Sequence, residues 1–391
     1  MGIIQLSDVT VRRGRSTVLE NWSLTVDSGE VVCLFGENGC GKSTVIETVA
    51  GLVPMENGTA TISGQLIRDS AGRRGRTRFG LCLQSDCVMG DELVGERLFD
   101  VAGSKFDVES LLKQWGLDHR IHDRVAMLSG GQRRKLAVLS ALVPAMITDE
   151  NTAILLDEPD SGLDSKSVDL LCETLRNLAA GGHSILISSH NSKIQQCSDK
   201  TVSFPFEITE NNCRKGVFEK IETTSHHKGY IGHRINLRTL SGLANNGISG
   251  LLVLGAMLAL LDPANLDSRM QIAFILAPAL ASGLTGNPIH KLTLENRTFA
   301  WWKTRSSIPP NALLHSVVLC GLLTMLESTI TGGFNAELIV IGAFLGMITE
   351  AIVGWISYST LSLARPNAVM IRLLTPILIL PWAIIVDTLS S

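Results

Sequence analysis

The pattern of apolar positions changes near residue 240. Before that point, short apolar runs such as EVVCLF at 30–35 and AILL at 153–156 alternate with charged and glycine-rich stretches. Runs of this length predict strands that are buried on both faces, as in the parallel sheets of α/β proteins. From residue 243 onward, much longer apolar runs follow one another. We therefore predict an α/β domain followed by an all-α domain.

The long apolar runs suit helices that cross a membrane. The hydrocarbon core of a bilayer is about 30 Å thick and needs about 20 helical residues. The alternative is a set of buried helices in a soluble domain, which five successive runs with so few charges argue against. We therefore predict a membrane domain of about five transmembrane helices. The predicted spans are 243–261, 270–285, 312–331, 336–356 and 369–386.

Length and composition agree with two domains. The chain has 391 residues, and nearly every strong charge cluster lies before Arg238. The predicted boundaries are 1–221 for the α/β domain, 222–242 for a linker and 243–391 for the membrane domain. The net charge of -3 averages two unlike halves. Because no basic tract is present, no nucleic-acid partner is predicted. The eight cysteines are scattered, which favours reduced thiols over a disulfide framework.

A phosphate-binding loop follows the first apolar run. The sequence GENGCGKST at 36–44 matches G-x-x-x-x-G-K-[ST] between a predicted strand and a predicted helix. Glycines let backbone N–H groups converge on phosphates, Lys42 reaches the β and γ oxygens, and Ser43 binds Mg²⁺. The loop thus predicts ATP and Mg²⁺ as ligands. The candidate ATP-binding residues are Gly36, Asn38, Gly39, Cys40, Gly41, Lys42, Ser43 and Thr44.

Two further motifs belong to the same chemistry. AILLDEP at 153–159 is a buried strand that ends in two acids, and strand alternation would point Asp157 and Glu158 to different tasks. Asp157 is assigned to the Mg²⁺ shell and Glu158 to polarising the attacking water. LSGGQ at 128–132 opens a helix whose N-terminus offers a second anion site. Since one ATP cannot occupy both sites, we expect this second site to serve another copy, most simply in a homodimer. Its residues are Ser129, Gly130, Gly131 and Gln132.

In order and spacing, these motifs resemble those of the ATP-binding cassette (ABC) family over residues 1 to about 220. The likeness extends to LCLQSD at 81–86, SGLD at 161–164 and ISSH at 187–190. It implies that Gln84 joins the Mg²⁺ and water site, that Asp164 links two facing sites, and that His190 contacts the γ-phosphate. Family members carry an adenine-stacking aromatic residue near the position of Arg13. A guanidinium plane stacks in a similar way, so Arg13 completes the predicted ATP site.

Lysine and arginine positions predict the orientation of the spans. ATP is cytosolic, so the linker is placed inside, and five crossings then put most cations on inner connections. We expect a multi-pass protein of the plasma or inner membrane with a cytoplasmic ATPase. The segment LTLENRTFAWWKTRSS at 292–307 falls on the inner side as an interfacial helix. It is interpreted as a coupling element near Gln84, or as a membrane-surface anchor only. The inner cations are Lys291, Arg297, Lys303, Arg305, Arg365 and Arg372.

Three polar residues stand out within the spans. Glu327 and Glu350 are acids at membrane depth, where charge is costly, so each should face protein, water or a partner, or be protonated. Glu350 is the better functional candidate, because Glu327 falls close to the outer surface. His315 lies near an inner span end. It is a candidate haem ligand, although a packing or interfacial histidine is the commoner case.

The membrane half resembles the permease of the cytochrome c maturation system, a haem exporter. The likeness rests on LEN at 294–296, SSIPPNALLHSVVL at 306–319 and LARPNAVMIRLLTPILILPWAIIV at 363–386. It implies an ATPase–permease fusion that uses ATP to deliver or release haem beside other maturation proteins, although that permease has six spans. The alternative is an ABC-2-type exporter of a drug, lipid or polysaccharide. A third hypothesis is a soluble cassette ATPase of translation or repair.

Overall fold

The computed structural model describes residues 3–75, 77–204, 207–211, 213–227, 240–286, 313–331, 335–359 and 379–389. These residues belong to two compact units, which meet in sequence near residue 231. The segment 292–307 and residues 360–378, which include part of the fifth predicted span, lie outside the described residues. Each unit is considered on its own below.

The first unit begins with an antiparallel sheet. Its apolar positions alternate with polar ones, and Leu6, Val9 and Val11 are almost fully buried. Such alternation is expected of strands with one face on the core. The strands lie in the order β2-β1-β4-β5. Their bounds are β1 Ile4–Arg13, β2 Ser16–Val26, β4 Asn57–Ile62 and β5 Gln65–Asp69.

A second sheet forms the centre of this unit in the order β11-β10-β3-β9-β8-β6. All neighbouring pairs are parallel except β10 with β11. β8 and β9 are buried at every residue, which explains their continuous apolar runs. The bounds are β3 Val31–Phe35, β6 Gly80–Cys82, β8 Ala153–Asp157, β9 Ser184–Ser188, β10 Lys200–Ser203 and β11 Glu207–Glu210.

Helices connect the strands and supply a smaller helical part. Asp164 is the N-cap residue of α5, and Asp107 is the N-cap residue of α3. The Oδ1 atom of Asp107 accepts a hydrogen bond from Ser110 N at 3.0 Å. The short strand β7, Ser104–Phe106, lies between α2 and α3. The helix bounds are α1 Lys42–Val49, α2 Val94–Ala102, α3 Val108–Gln114, α4 Gly130–Met146, α5 Ser165–Ala180 and α6 Ser192–Gln196.

Residues 213–227, here called the strap, connect the helices beside the central sheet with the smaller helical part that contains α2, β7 and α3. The ring of Phe218 lies 5.2 Å from that of His183, and Ile221 N donates to Met146 O at 2.8 Å. Beyond this point β12, Thr223–His226, pairs antiparallel with β7. The predicted linker therefore contains a strand that joins two parts of the first unit.

Phe218→Ala should release the strap from its site over α5. Removing a half-buried phenyl ring costs about 2 kcal/mol, which corresponds to more than tenfold in the docking equilibrium. We expect trypsin to cut the strap at Arg214, Lys215 and Lys220 at least tenfold faster. The matched control is Val217→Ala, because Val217 is 72% exposed. Equal cleavage of the two variants would show that Phe218 does not hold the strap.

The second unit consists of helices. Within the described residues, Gly242–Leu260 and Ala336–Ile356 are long and apolar enough to cross a membrane, and three further apolar helices are shorter. Two of the five predicted spans are thus matched in length, and the five-span domain stays a prediction. The bounds are α7 Leu240–Leu260, α8 Ser268–Leu284, α9 Leu313–Ile330, α10 Ala336–Ser359 and α11 Ile379–Leu389.

Small residues set the contact between α9 and α10. A Cβ added at Gly342 would lie 2.1 Å from Thr324 Oγ1, and one added at Gly346 would lie 2.2 Å from Cys320 Sγ. Close helix approach through G-x-x-x-G is frequent in membrane proteins. The motif is visible in the sequence as GAFLG at 342–346, although it was not among the predicted features.

Candidate nucleotide site

The predicted site residues gather at one edge of the central sheet. Parallel strands β3, β6, β8 and β9 all end there, and each is followed by one of the motifs. Carboxyl ends of parallel strands are the usual ligand edge of α/β sheets. The topology therefore brings together segments that are far apart in sequence, with the phosphate loop after β3, Gln84 after β6, Asp157 and Glu158 at β8, and His190 after β9.

The loop between β3 and α1 has the backbone of a phosphate cradle. Gly39 and Gly41 have φ values of +84° and +116°, which residues with a Cβ rarely adopt. Lys42 is 4% exposed, and its Nζ donates to Gly36 O at 2.8 Å and to Glu37 O at 2.9 Å. The ammonium therefore stays at the loop. Asn38 and Gly39 are exposed at its tip, whereas Thr44 is buried in α1.

Ser43 and Asp157 form the candidate Mg²⁺ position. Ser43 Oγ donates to Asp157 Oδ1 at 3.0 Å, and Ser188 Oγ donates to the same oxygen at 2.6 Å. A hydroxyl and a carboxylate at the loop are hard oxygen donors of the type that Mg²⁺ prefers. These residues fit the ion. Ser188, which orients the carboxylate, was not predicted, although it stands in the quoted ISSH.

Glu158 is held in an unusual backbone conformation. Its φ is +48°, and its N–H donates to both Ser188 O and Ser188 Oγ at 3.0 Å. Left-handed backbone at a residue other than glycine is often found at functional sites. β8 ends at Asp157, and the backbone turns at Glu158. This turn separates the side chains of the two acids. The explanation by strand alternation was wrong, whereas the expected divergence is present.

Two side chains approach the Glu158 carboxylate from neighbouring strands. Gln84 Nε2 donates to Glu158 Oε2 at 3.4 Å, and His190 Nε2 lies 3.7 Å from Glu158 Oε1. The carboxylate is 23% exposed, so it faces water while its neighbours orient it. The structure thus brings the three residues predicted as catalytic into one cluster. This arrangement suits a carboxylate that polarises a water molecule.

Arg134 joins the elements of the site and was missed. It is 4% exposed and follows the LSGGQ motif by two residues. Its guanidinium donates to Leu83 O, Asp157 O and Glu158 O, each at 2.7 Å. One side chain of α4 therefore fixes the ends of β6 and β8. Its position two residues after LSGGQ was the only sequence signal, and burial could not be read from it.

The LSGGQ residues form an exposed helix N-terminus. Ser129 Oγ accepts from Gln132 N at 3.3 Å, and Gln132 Oε1 accepts from Ser129 N at 3.0 Å, which is a capping box. Ser129 and Gly130 are exposed, and Gly131 is partly exposed. The terminus of α4 is therefore accessible to an anion from outside this unit.

Asp164 is tied to the same helix. Hydrogen bonds from Ser167 N and from Lys135 lower its pKa to about 2. Lys135 Nζ lies 3.2 Å from Asp164 Oδ2. Asp164 is therefore an anion at neutral pH that links the start of α5 to α4.

A cleft beside the phosphate loop supplies aromatic surfaces. It has a volume of about 680 Å³. Arg13 does not line it, because its guanidinium is ion-paired with Glu47 of α1. The expected stacking of Arg13 on adenine therefore finds no support in this arrangement. The lining residues are Val18, Phe35, Gly36, Glu37, Cys40, His190, Ser203 and Phe204.

Comparisons with known proteins agree with this geometry. Residues 19–161 match the family model described as ABC transporter. A Nod factor export ATP-binding protein I of Sinorhizobium fredii (strain NBRC 101917 / NGR234) is 35% identical over 196 residues, which are 48% of this chain and 55% of that protein. A macrolide export ATP-binding/permease protein MacB of Azoarcus sp. (strain BH72) is 30% identical over 216 residues, 51% of this chain and 32% of that protein.

Among solved structures, an ATP-binding subunit of an ABC transporter is 25% identical. It covers 56% of this chain and 90% of its own, with a TM-score of 0.44. The chain spans about half the length of the first curated relatives that it matches.

Proposed function

We propose that this chain, which contains an ABC transporter ATP-binding cassette, is a subunit of an ATP-driven exporter in which the cassette and the membrane helices are fused. The family match over residues 19–161 supports the cassette. The observation that carries the proposal is the cluster of Glu158 with Gln84 and His190, followed in the same chain by apolar helices. The first unit would hydrolyse ATP, and the second would move the exported molecule.

The site residues have separate tasks in this proposal. Lys42 and the loop would hold the phosphates, and Ser43 with Asp157 would hold Mg²⁺, which when bound neutralises phosphate charge. Glu158 accepts a proton from the attacking water, while Gln84 and His190 keep its carboxylate in place. Because Gln84 comes directly after β6, movement of its loop would alter the geometry at Glu158.

A second copy is part of the proposal. Support comes from the exposed α4 terminus, whose capping box leaves Ser129 and Gly130 open to solvent. In a homodimer this terminus would face the phosphates held by the other copy. Mixing Lys42→Ala protein with Ser129→Arg protein tests this arrangement, because a mixed dimer has one intact site. Hydrolysis in the mixture that is no higher than in either variant alone would exclude sites shared between copies.

The five-span orientation remains our proposal for the membrane domain, with the cassette in the cytoplasm. It places residues 262–269 and the end of the last span on the outer side. The ion pair between Arg269 and Asp387 supports this, since it brings the start of α8 close to the end of α11. A cysteine introduced at Asn265 should accordingly be labelled by impermeant reagents from outside the cell.

Two classes of exported molecule follow from the sequence, haem and a drug, lipid or polysaccharide. The cytochrome c maturation role rests on the resemblance alone. His315 is exposed on α9, and within the described residues no group of His, Cys, Asp or Glu side chains is placed to hold a metal ion. The relatives are named for Nod factor and macrolide export. We therefore favour an exporter of a drug, lipid or polysaccharide over a haem exporter.

Deletion of the gene separates these two functions. We expect c-type cytochromes to persist in a haem-stained protein profile while another exported compound is lost. Complementation with the Lys42→Ala variant serves as the control, because it should fail where the native gene succeeds. Loss of all c-type cytochromes, restored only by the native gene, would favour haem delivery. Recovery of the protein in a detergent-free soluble fraction would instead revive the soluble cassette ATPase.

A further inference from the structure

A polar stripe runs along the buried face of α9. Ser316, Cys320, Thr324 and Glu327 are spaced by four, four and three residues, which places them on one helix face. All four are at most 2% exposed. At 1.5 Å per residue the stripe extends over about 16 Å, half the thickness of a bilayer core. Small hydroxyl residues are common at contacts between helices in lipid, whereas a buried carboxylate such as that of Glu327 is rare.

Helix α10 covers this stripe. Gly342 lies against Thr324 and Gly346 against Cys320, so the two helices run antiparallel with a fixed register. One turn further along, the same register puts Ser316 level with Glu350, which is 1% exposed. We call the contact between Ser316–Glu327 of α9 and Gly342–Glu350 of α10 the α9–α10 seam. Its facing groups are hydroxyls, a thiol, two glycines and two carboxylates.

The seam contains acceptors that the described residues do not satisfy. Neither carboxylate oxygen of Glu327 has a hydrogen-bond partner within the described part of the chain, nor does Ser316 Oγ. The sole Lys or Arg described in the second unit is Arg269, which pairs with Asp387, and His315 is exposed. A buried carboxylate in this setting needs a proton or a cation as partner.

We propose that the α9–α10 seam is the binding site for the exported molecule and that this molecule is a lipophilic organic cation. The inference rests on the proposed exporter function and adds its substrate class. Glu327 would pair with the positive charge, while the hydroxyls of Ser316 and Thr324 offer further oxygen acceptors. Glycines at 342 and 346 expose little apolar surface when the helices separate, so opening the seam has a low hydrophobic cost. An anion would meet the like charge of Glu327 and is disfavoured.

Equilibrium binding to the full chain in detergent tests the site independently of ATP hydrolysis. The probe is radiolabelled tetraphenylphosphonium, and the competitor is tetraphenylborate, which has the same shape and the opposite charge. We expect saturable binding that weakens at least tenfold in Glu327→Gln. Glu327→Asp, which retains the charge, should restore most of the affinity. The matched control is Glu337→Gln, because Glu337 is an exposed acid at the start of α10.

Three outcomes overturn the site. The first is equal binding of the probe by native protein and Glu327→Gln, and the second is no saturable binding by native protein. The third is competition by tetraphenylborate as strong as that by unlabelled tetraphenylphosphonium. A size-exclusion profile and an equilibrium ATP-binding curve of Glu327→Gln that match those of the native protein would show that the variant is folded. Hydrolysis without cation binding would refute the site and leave the ATPase intact, whereas binding without hydrolysis would refute the proposed ATPase alone.

Discussion

Glu158→Gln is expected to lower ATP hydrolysis by the full-length protein at least 100-fold while ATP binding persists. A positioned general base contributes about 10² to 10⁴ in rate, and an amide of the same size cannot accept the proton. Gln84 Nε2 lies 3.4 Å and His190 Nε2 lies 3.7 Å from the Glu158 carboxylate oxygens. These two neighbours hold the carboxylate in a fixed orientation. Phosphate release and equilibrium nucleotide binding, measured on the same preparation, separate the two effects.

Glu150→Gln is the control for this substitution, since Glu150 is an exposed acid before β8. It should hydrolyse ATP at the native rate. A Glu158→Gln protein that still turns over at more than a tenth of the native rate would assign the base to another group. The role proposed for Glu158 would then be wrong, even though its position in the site would stand.

The second large effect is expected for Arg134→Leu. The substitution removes the donor from three carbonyl groups, and an unsatisfied buried acceptor costs about 1–3 kcal/mol. We expect the free energy of unfolding of the cassette to fall by about 3 kcal/mol or more. Hydrolysis should fall as well, because Glu158 O loses its 2.7 Å contact and the left-handed backbone at this residue loses support.

The adjacent Arg133 provides a matched control. It is 36% exposed and donates to Asp86 Oδ2 at 2.9 Å. Exposed ion pairs contribute less than about 1 kcal/mol, so Arg133→Leu should be close to native in stability. Urea unfolding followed by tryptophan fluorescence, with Trp115 buried in the first unit, compares the two variants. Equal midpoints would show that Arg134 does not stabilise the site.

Much of the cassette could be predicted from its sequence. The phosphate loop, LSGGQ, LLDEP and the histidine motif each have a fixed local form, because phosphate binding requires glycine backbone, a lysine and oxygen donors at fixed spacing. The chemistry of Lys42, Ser43 and Asp157 is therefore visible without coordinates. The α/β fold class follows from the same residues, since their motifs end buried strands.

Contacts between distant segments were harder to predict. In the sequence, Arg134 looks like any other cation on an amphipathic helix. Its role in holding the ends of β6 and β8 becomes visible only from its burial against these strands. Residues 223–226 were assigned to the linker because four polar residues in a row have no period that predicts a strand. Their pairing with β7 is set by the partner strand more than by their own side chains.

The same distinction between local pattern and tertiary packing applies to the second unit. Apolar run lengths predict helices 243–261 and 336–356, and the structure has α7 and α10 there. The face on which Glu327 lies depends on which helices pack against α9, which periodicity does not specify when all faces are apolar.

The sequence by itself determined the nucleotide chemistry, the two-part organisation and the apolar helices, because these depend on local spacing and on runs of one residue type. Tertiary structure alone decided that Arg134 holds the site together, that Arg13 pairs with Glu47, that the strap pairs with β7, and that Glu327 is fully buried. Each of these depends on burial and on partners far away in the chain, and those are set by the packing of whole elements.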